Sequence, residues 1–229
     1  MKLYALNVRW LYEERAFARL LECVSAERRG KALSHRFAKD RALSLGAGLL
    51  LNLALQRFAP ELPIPPEIRL GEYGKPYLAG NGVPEIGLSH SGEYAVCAIG
   101  REEVGVDVEQ TGMVDAGVAR RCFLERELHR VMPDGTHVDA EEFCRLWTLK
   151  ESFIKRIGTG LSLDPLQFDI YGEGQIRVRQ DYDAQLYHCR LYEELTGYKL
   201  ALCISSGDFP ERIEIIEKEE LPNAAARRL

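Results

Sequence analysis

The sequence predicts an α+β fold made of two similar α+β subdomains in a pseudo-twofold arrangement, residues 1–110 forming the first half and 111–220 the second. Three observations predict it. Helical periodicity followed by strand patterning occurs twice along the chain. An apolar strand in the first half, Tyr94-Ala-Val-Cys-Ala-Ile, is echoed in the second by Lys199-Leu-Ala-Leu-Cys-Ile. At 229 residues, 46% hydrophobic and 28% charged, the chain is long enough to bury a core without disulfides or metal staples.

The first half opens with a strand over Leu3–Val8 and a helix over Tyr12–Val24, where Phe17, Leu20, Leu21 and Val24 recur at helical spacing. Ser25 has the character of a cap for a basic helical segment, Glu27–Phe37. An apolar helix carrying Leu45, Leu49, Leu50, Leu53 and Leu55 follows and ends at the prolines Pro60, Pro63, Pro65 and Pro66. Strands at Ile68–Leu70, Ile86–Leu88, Tyr94–Ile99 and Val104–Glu109 predict an antiparallel sheet. The second half begins with a helical block, Val114–Val131. Asp139 with Glu142 then makes a capping-box pattern for a long helix, Ala140–Ile157, which Gly158 and Gly160 stop. Strands are predicted at Phe168–Tyr171, Ile176–Val178, Tyr187–Leu191, Leu200–Ile204 and Ile213–Ile216, before a frayed tail over 221–229.

Composition narrows the function. A formal net charge of -5 argues against nucleic acid as a partner. The most apolar helix is interrupted by Asn52, Gln56 and Arg57 and is too short to span a bilayer, so no membrane partner is expected. Glu13 and Glu14 arrive before a signal-peptide core can form, which predicts a cytoplasmic protein, and a monomer is expected. Cys23, Cys97, Cys122, Cys144, Cys189 and Cys203 are scattered without a CxxC pair and read as reduced core residues.

Two stretches carry chemistry. In Val104-Gly-Val-Asp-Val-Glu the alternation puts Asp107 and Glu109 on one face of a strand, a pattern that also describes a solvated strand edge. In Phe143-Cys-Arg-Leu-Trp-Thr-Leu-Lys-Glu-Ser-Phe-Ile-Lys, the residues Trp147, Glu151 and Lys155 lie four apart on one helical stripe, where Glu151 and Lys155 also suit an exposed ion pair. Together, three carboxylates and a lysine have the composition that holds a magnesium-bound diphosphate.

Gly-Val-Asp-Val-Glu followed, after a helical block, by Trp-Thr-Leu-Lys-Glu-Ser-Phe-Ile-Lys resembles the Sfp-type 4′-phosphopantetheinyl transferases. Gly74-Lys-Pro-Tyr-Leu, Ser89-His-Ser-Gly, Phe123-Leu-Glu-Arg-Glu and Gly158-Thr-Gly-Leu-Ser extend the resemblance in the same order over nearly the whole chain. The resemblance implies Mg2+ at Asp107, Glu109 and Glu151, and a coenzyme A diphosphate contacted by Lys155 with support from Lys150. It implies a nucleotide contacted by Lys75 and His90, with Gly74, Pro76 and Ser89 lining its pocket, and a 3′-phosphate read by Arg28 and Lys31. Arg41 substitutes for a basic residue that relatives carry where this chain has Leu43, and Gly87 stands where they often have Asn. The implied reaction is of the holo-[acyl-carrier-protein] synthase type. A serine of an apo acyl or peptidyl carrier protein attacks the β-phosphate of coenzyme A in the cleft between the subdomains, and 3′,5′-bisphosphoadenosine leaves. Glu151 is the expected base, Lys155 stabilises the leaving side, and Glu127 positions water or helps take the serine proton.

Overall fold

The computed structural model describes residues 1–172 and 174–221. The expected tail falls mostly on 222–229, outside the described residues. In chain order the elements are β1 (Lys2–Asn7), α1 (Glu14–Leu21), α2 (Ala26–Ser34), α3 (Ala38–Phe58), β2 (Ile68–Leu70), β3 (Pro76–Leu78), β4 (Glu85–Ser91) and β5 (Tyr94–Gly100). There follow β6 (Gly105–Gln110), α4 (Ala116–Cys122), α5 (Glu125–Val131), α6 (Ala140–Ile157), β7 (Asp169–Tyr171), β8 (Ile176–Arg179), β9 (His188–Tyr192), β10 (Tyr198–Ile204) and β11 (Glu214–Ile216). The fold is α+β, as the sequence predicts.

The described residues divide into two compact units, one of 1–69, 76–101 and 210–221 and the other of 70–75, 102–172 and 174–209. In the first, the strands lie in the order β11-β1-β5-β4, antiparallel except for the β1–β11 pair. Helix α3 packs on this sheet, and its run from Ala42 to Leu55 is buried on every side, which accounts for its unbroken apolar sequence. Glycines admit its neighbours: a Cβ on Gly46 would lie 2.3 Å from Val8 Cγ1, and one on Gly48 would lie 2.8 Å from Arg28 Cγ. Ser25 caps α2, its Oγ accepting from Arg28 N at 3.2 Å.

In the second unit an antiparallel sheet runs β6-β10-β9-β8-β7, and α6 lies across β6, β10 and β9. Phe143, Leu146, Leu149 and Phe153 of α6 pack with Phe123, Phe168 and Tyr187. The Phe153 ring is 4.7 Å from that of Phe168 and 5.1 Å from that of Tyr187. Asp139 caps α6 by accepting from the N–H groups of Glu141 and Glu142 at 3.0 and 3.1 Å. Glu142 does not close the expected capping box, because its carboxylate pairs with Arg130 at 2.5 Å. Each echoed strand, β5 and β10, is an interior strand of its own sheet.

The first-half sheet differs from expectation. Of its four predicted strands only β4 and β5 pair with each other. β2 pairs with β3, a strand not predicted from the sequence. β6 pairs with β10, so the acidic strand assigned to residues 1–110 belongs to the second unit, in the same body as α6. The helical block 114–131 breaks at Leu124, which is extended (φ -63, ψ 158) and donates its N–H to Glu127 Oε2 at 2.9 Å. All six cysteines are free thiols, and Cys122, expected in the core, is only partly buried.

Gly105 permits the closest approach in the second unit. A Cβ there would fall 1.9 Å from Ser152 O and 2.3 Å from Arg156 N, backbone atoms of α6 that cannot swing aside. Gly105→Ala is expected to lose about 3 kcal/mol or more, at the upper end of overpacking costs, because helix and strand must separate. Urea unfolding checks this, with a lowered midpoint at unchanged slope.

Candidate active site

The same close approach builds the acidic site. A side chain at position 105 would point at α6. Strand alternation therefore turns Asp107 and Glu109 toward the helix, while Val106 and Val108 are buried on the opposite face. Asp107 is only 1% exposed, which removes the solvated-edge reading of this strand. On the helix, Cys144, Thr148 and Ser152 make a small-residue stripe at intervals of four. Cys144 Sγ donates to Glu109 O at 3.5 Å, and Thr148 Oγ1 donates to Cys144 O at 2.7 Å, so neither polar group competes for the strand's carboxylates. β6 thus runs antiparallel to the stripe, with Gly105 beside Ser152 and Glu109 beside Cys144. The adjoining stripe of Trp147, Glu151 and Lys155 flanks Asp107, and Lys155 Nζ donates to Asp107 Oδ1 at 2.5 Å.

Electrostatics tie the four groups together. Burial alone would push the Lys155 ammonium down, but Asp107, then Glu151 and Glu109, outweigh it and hold the group above the ordinary lysine value. Glu151 moves the other way for a carboxyl. Burial raises it, Lys155 opposes, and the Asp107 charge raises it further. The two acidic motifs therefore converge on one place.

Among the described residues, no set of three or more His, Cys, Asp or Glu side chains is closed around a point that would hold a metal ion. The donors nevertheless suit magnesium. All are hard carboxylate oxygens, and those of Asp107, Glu151 and Glu109 all act on the one Lys155 ammonium.

Glu127 and Lys150 stand differently from what the sequence suggests. Their side chains are 3% and 0% exposed, and they form an ion pair at 2.9 Å. Lys150 Nζ also donates to Pro165 O at 2.6 Å and Phe168 O at 2.9 Å, which occupies its three protons. Glu127 accepts from the backbone N–H groups of Leu124 at 2.9 Å and Ile170 at 3.2 Å. The expected catalytic role for Glu127 and the diphosphate role for Lys150 thus meet groups already bound inside the core. The pair is a strut joining α5, α6 and the start of the β7 strand.

The remaining predicted residues are placed as follows. Gly74 and Lys75 belong to the second unit, in the β2–β3 turn, where Lys75 Nζ donates to Arg156 O at 2.9 Å. Pro76 opens β3, and Ser89 and His90 lie near the end of β4, Ser89 buried and His90 exposed. Lys31 on α2 and Arg41 on α3 are exposed, Arg41 donating through Nε to His35 O at 2.9 Å. Arg28 is half-buried, and burial lowers its guanidinium pKa against the opposing pull of Glu27. Sequence reasoning missed Gly105 and the Cys144-Thr148-Ser152 stripe. Their signal was present as small residues at strand and helix spacing.

Glu127→Ala is expected to cost about 3–5 kcal/mol, since it strands the Lys150 ammonium in the core and leaves two backbone N–H groups without an acceptor. Urea unfolding of Glu127→Ala beside the Glu127→Gln, Lys150→Met double variant checks it. The double variant removes the buried charge altogether and should recover part of the loss. A Glu127→Ala midpoint equal to wild type would show that the pair is no strut.

Comparison with known proteins agrees with this geometry. Residues 103–203, which span β6 through α6 to β10, match the model of the 4′-phosphopantetheinyl transferase superfamily. A 4′-phosphopantetheinyl transferase of Bacillus subtilis is 30% identical over 205 residues, covering 89% of this chain and 92% of its own. The 4′-phosphopantetheinyl transferase gsp of Aneurinibacillus migulanus is 31% identical over 188 residues, 79% of this chain and 76% of its own. The 4′-phosphopantetheinyl transferase Sfp of Bacillus subtilis strain 168 is 28% identical over 223 residues, 96% of this chain and 100% of its own. With its acidic strand and acidic helix packed into one body and its likeness to these enzymes running nearly end to end, the chain belongs to the 4′-phosphopantetheinyl transferase family, alongside the Sfp-type members.

Proposed function

We propose that this transferase moves the 4′-phosphopantetheine arm of coenzyme A onto a serine of an apo acyl or peptidyl carrier protein, in a magnesium-dependent reaction that releases 3′,5′-bisphosphoadenosine. The observation that carries the proposal is the convergence of Asp107, Glu109 and Glu151 on Lys155. Magnesium, when bound by the three carboxylates, supplies the charge neutralisation that a diphosphate needs. Lys155 is kept protonated by its acidic neighbours and offers positive charge to the phosphate that departs. Glu151, whose carboxyl is raised by burial and by Asp107, is a stronger base than an ordinary glutamate and accepts the serine proton. The serine oxygen then bonds to the β-phosphorus as the bond to the bridging oxygen breaks.

In the first unit, Arg28 suits an anionic ligand. Its guanidinium is partly desolvated and takes no hydrogen-bonded acid among the described residues. The proposal gives Arg28 and Lys31, with Arg41, the 3′-phosphate, and gives Ser89, His90 and the Gly74-Lys75-Pro76 turn the nucleotide, following the family resemblance. Glu127 and Lys150 hold the second unit's core beneath the site and do not themselves touch substrate. No helix among the described residues is long and apolar enough to cross a membrane.

Mass spectrometry of an apo carrier protein after incubation with the enzyme, coenzyme A and magnesium tests the proposal, the expected product being carrier plus one phosphopantetheine arm. Asp107→Asn is expected to lower the rate about 100-fold or more, the scale seen when a group that stabilises transition-state charge is lost. A chelator should reproduce that loss in wild type. Cleavage of coenzyme A without modification of the carrier serine would assign the site to hydrolysis instead.

A further inference from the structure

Leu70–Lys75, the tip of the β2–β3 hairpin, belongs to the second unit, although Ile68, Arg69 and β3 belong to the first. Helix-end chemistry holds it there. The last carbonyls of a helix have no donor within the helix. Gly158, at φ 80, turns back its N–H to Ile154 O at 2.8 Å and satisfies one of them. Lys75 satisfies another: its Nζ donates to Arg156 O at 2.9 Å, placing a cation at the negative end of α6. The lysine stem reaches that carbonyl by crossing Gly158, where a Cβ would stand 3.0 Å from Lys75 Cδ. A Cβ on Gly160 would stand 3.7 Å from Tyr73 O. The tip is internally closed, with Gly71 N donating to Lys75 O and Gly74 N to Gly71 O, each at 2.9 Å. Fixing Lys75 therefore fixes the whole turn.

We infer that Lys75 is a positioning residue for the transfer reaction, its ammonium capping α6 and so locking the Tyr73-Gly74-Lys75 turn to the end of the helix that carries Glu151 and Lys155. The inference rests on the reading that coenzyme A is the donor and that this turn lines its nucleotide. It moves the Lys75 side chain from phosphate contact to the helix end. Arg156, whose carbonyl Lys75 takes, is itself anchored by its guanidinium to Glu103 and to Ser205 Oγ, so the cap closes on a helix end that is already held.

Steady-state kinetics of the full chain with coenzyme A and an apo carrier protein test it. Lys75→Met keeps the stem and loses the donor. It should raise the KM for coenzyme A about tenfold, the worth of one charge-assisted hydrogen bond, while kcat stays within about twofold. The KM for the carrier should not change, and coenzyme A should remain preferred over dephospho-coenzyme A. Lys75→Arg, which keeps a donor, should restore most of the loss. Gly158→Ala leaves the Lys75 charge in place but obstructs its path, so it should show the same rise in KM, and the double variant should be little worse than either single. Thermal melts confirm that each variant is folded. A folded Lys75→Met enzyme with an unchanged KM for coenzyme A would overturn the inference. So would loss of the preference over dephospho-coenzyme A in Lys75→Met, which would mean direct phosphate contact. A wild-type enzyme that takes no arm from coenzyme A counts against the donor reading itself; a competent wild type beside an unaltered Lys75→Met counts against the inference alone.

Discussion

β6 lies against α6 with nothing between their backbones at Gly105, and the chemistry of the second unit depends on that contact. A side chain at 105 would hold the strand away from the helix and carry Asp107 out of reach of Lys155, two residues further along the same face. The stripe of Cys144, Thr148 and Ser152 does the same service from the helix side. Small residues cost core volume, and larger ones from the other faces of α6, Phe143, Leu149 and Phe153, fill the apolar core instead. Helix and strand are thus divided by face, one for packing and one for the charged site.

Placing charges so close to a packed core is costly unless they are paired. Two solutions occur five residues apart on α6. Lys150 is paired completely, with Glu127 and two carbonyls, and is sealed from solvent. Lys155 is paired with Asp107 and is held above the ordinary lysine value by Glu151 and Glu109 as well. The first arrangement stabilises the fold, and the second gathers three carboxylates around one ammonium. Neighbouring lysines in one motif therefore have unlike roles, which their common charge conceals.

Much of this was legible in the sequence, and the exceptions have physical causes. The α+β class, the long α6 and the shared face of Asp107 and Glu109 follow from period and alternation, which are local. The placement of β6 was not legible, since strand pairing is decided by which partner edge buries Val106 and Val108, and β10 lies some ninety residues on. The break at Leu124 was missed because it depends on the Glu127 side chain reaching back to a backbone N–H. The burial of Glu127 and Lys150 was missed for a related reason: charged residues on a helix read as exposed until a partner from another element is known. The helix-end contact of Lys75, expected to touch the nucleotide, was not legible because its carbonyl acceptor, on Arg156, is far along the chain.

The central claim is the proposal that Asp107, Glu109 and Glu151, gathered around Lys155, hold a divalent ion. Thermal melts of wild type and Glu151→Gln, across pH and with or without magnesium, test it most directly. The Glu151 carboxyl is raised above its ordinary 4.5 in the folded chain, so its stabilising contribution is full below that value and is lost as pH rises through the folded pKa. In metal-free buffer near neutral pH, Glu151→Gln should therefore melt above wild type, with the gap closing as the pH falls toward 4.5. Magnesium should raise the melting temperature of wild type and leave the variant nearly unmoved. A variant that melts below wild type in metal-free neutral buffer, or a wild type that magnesium does not stabilise, would contradict the account.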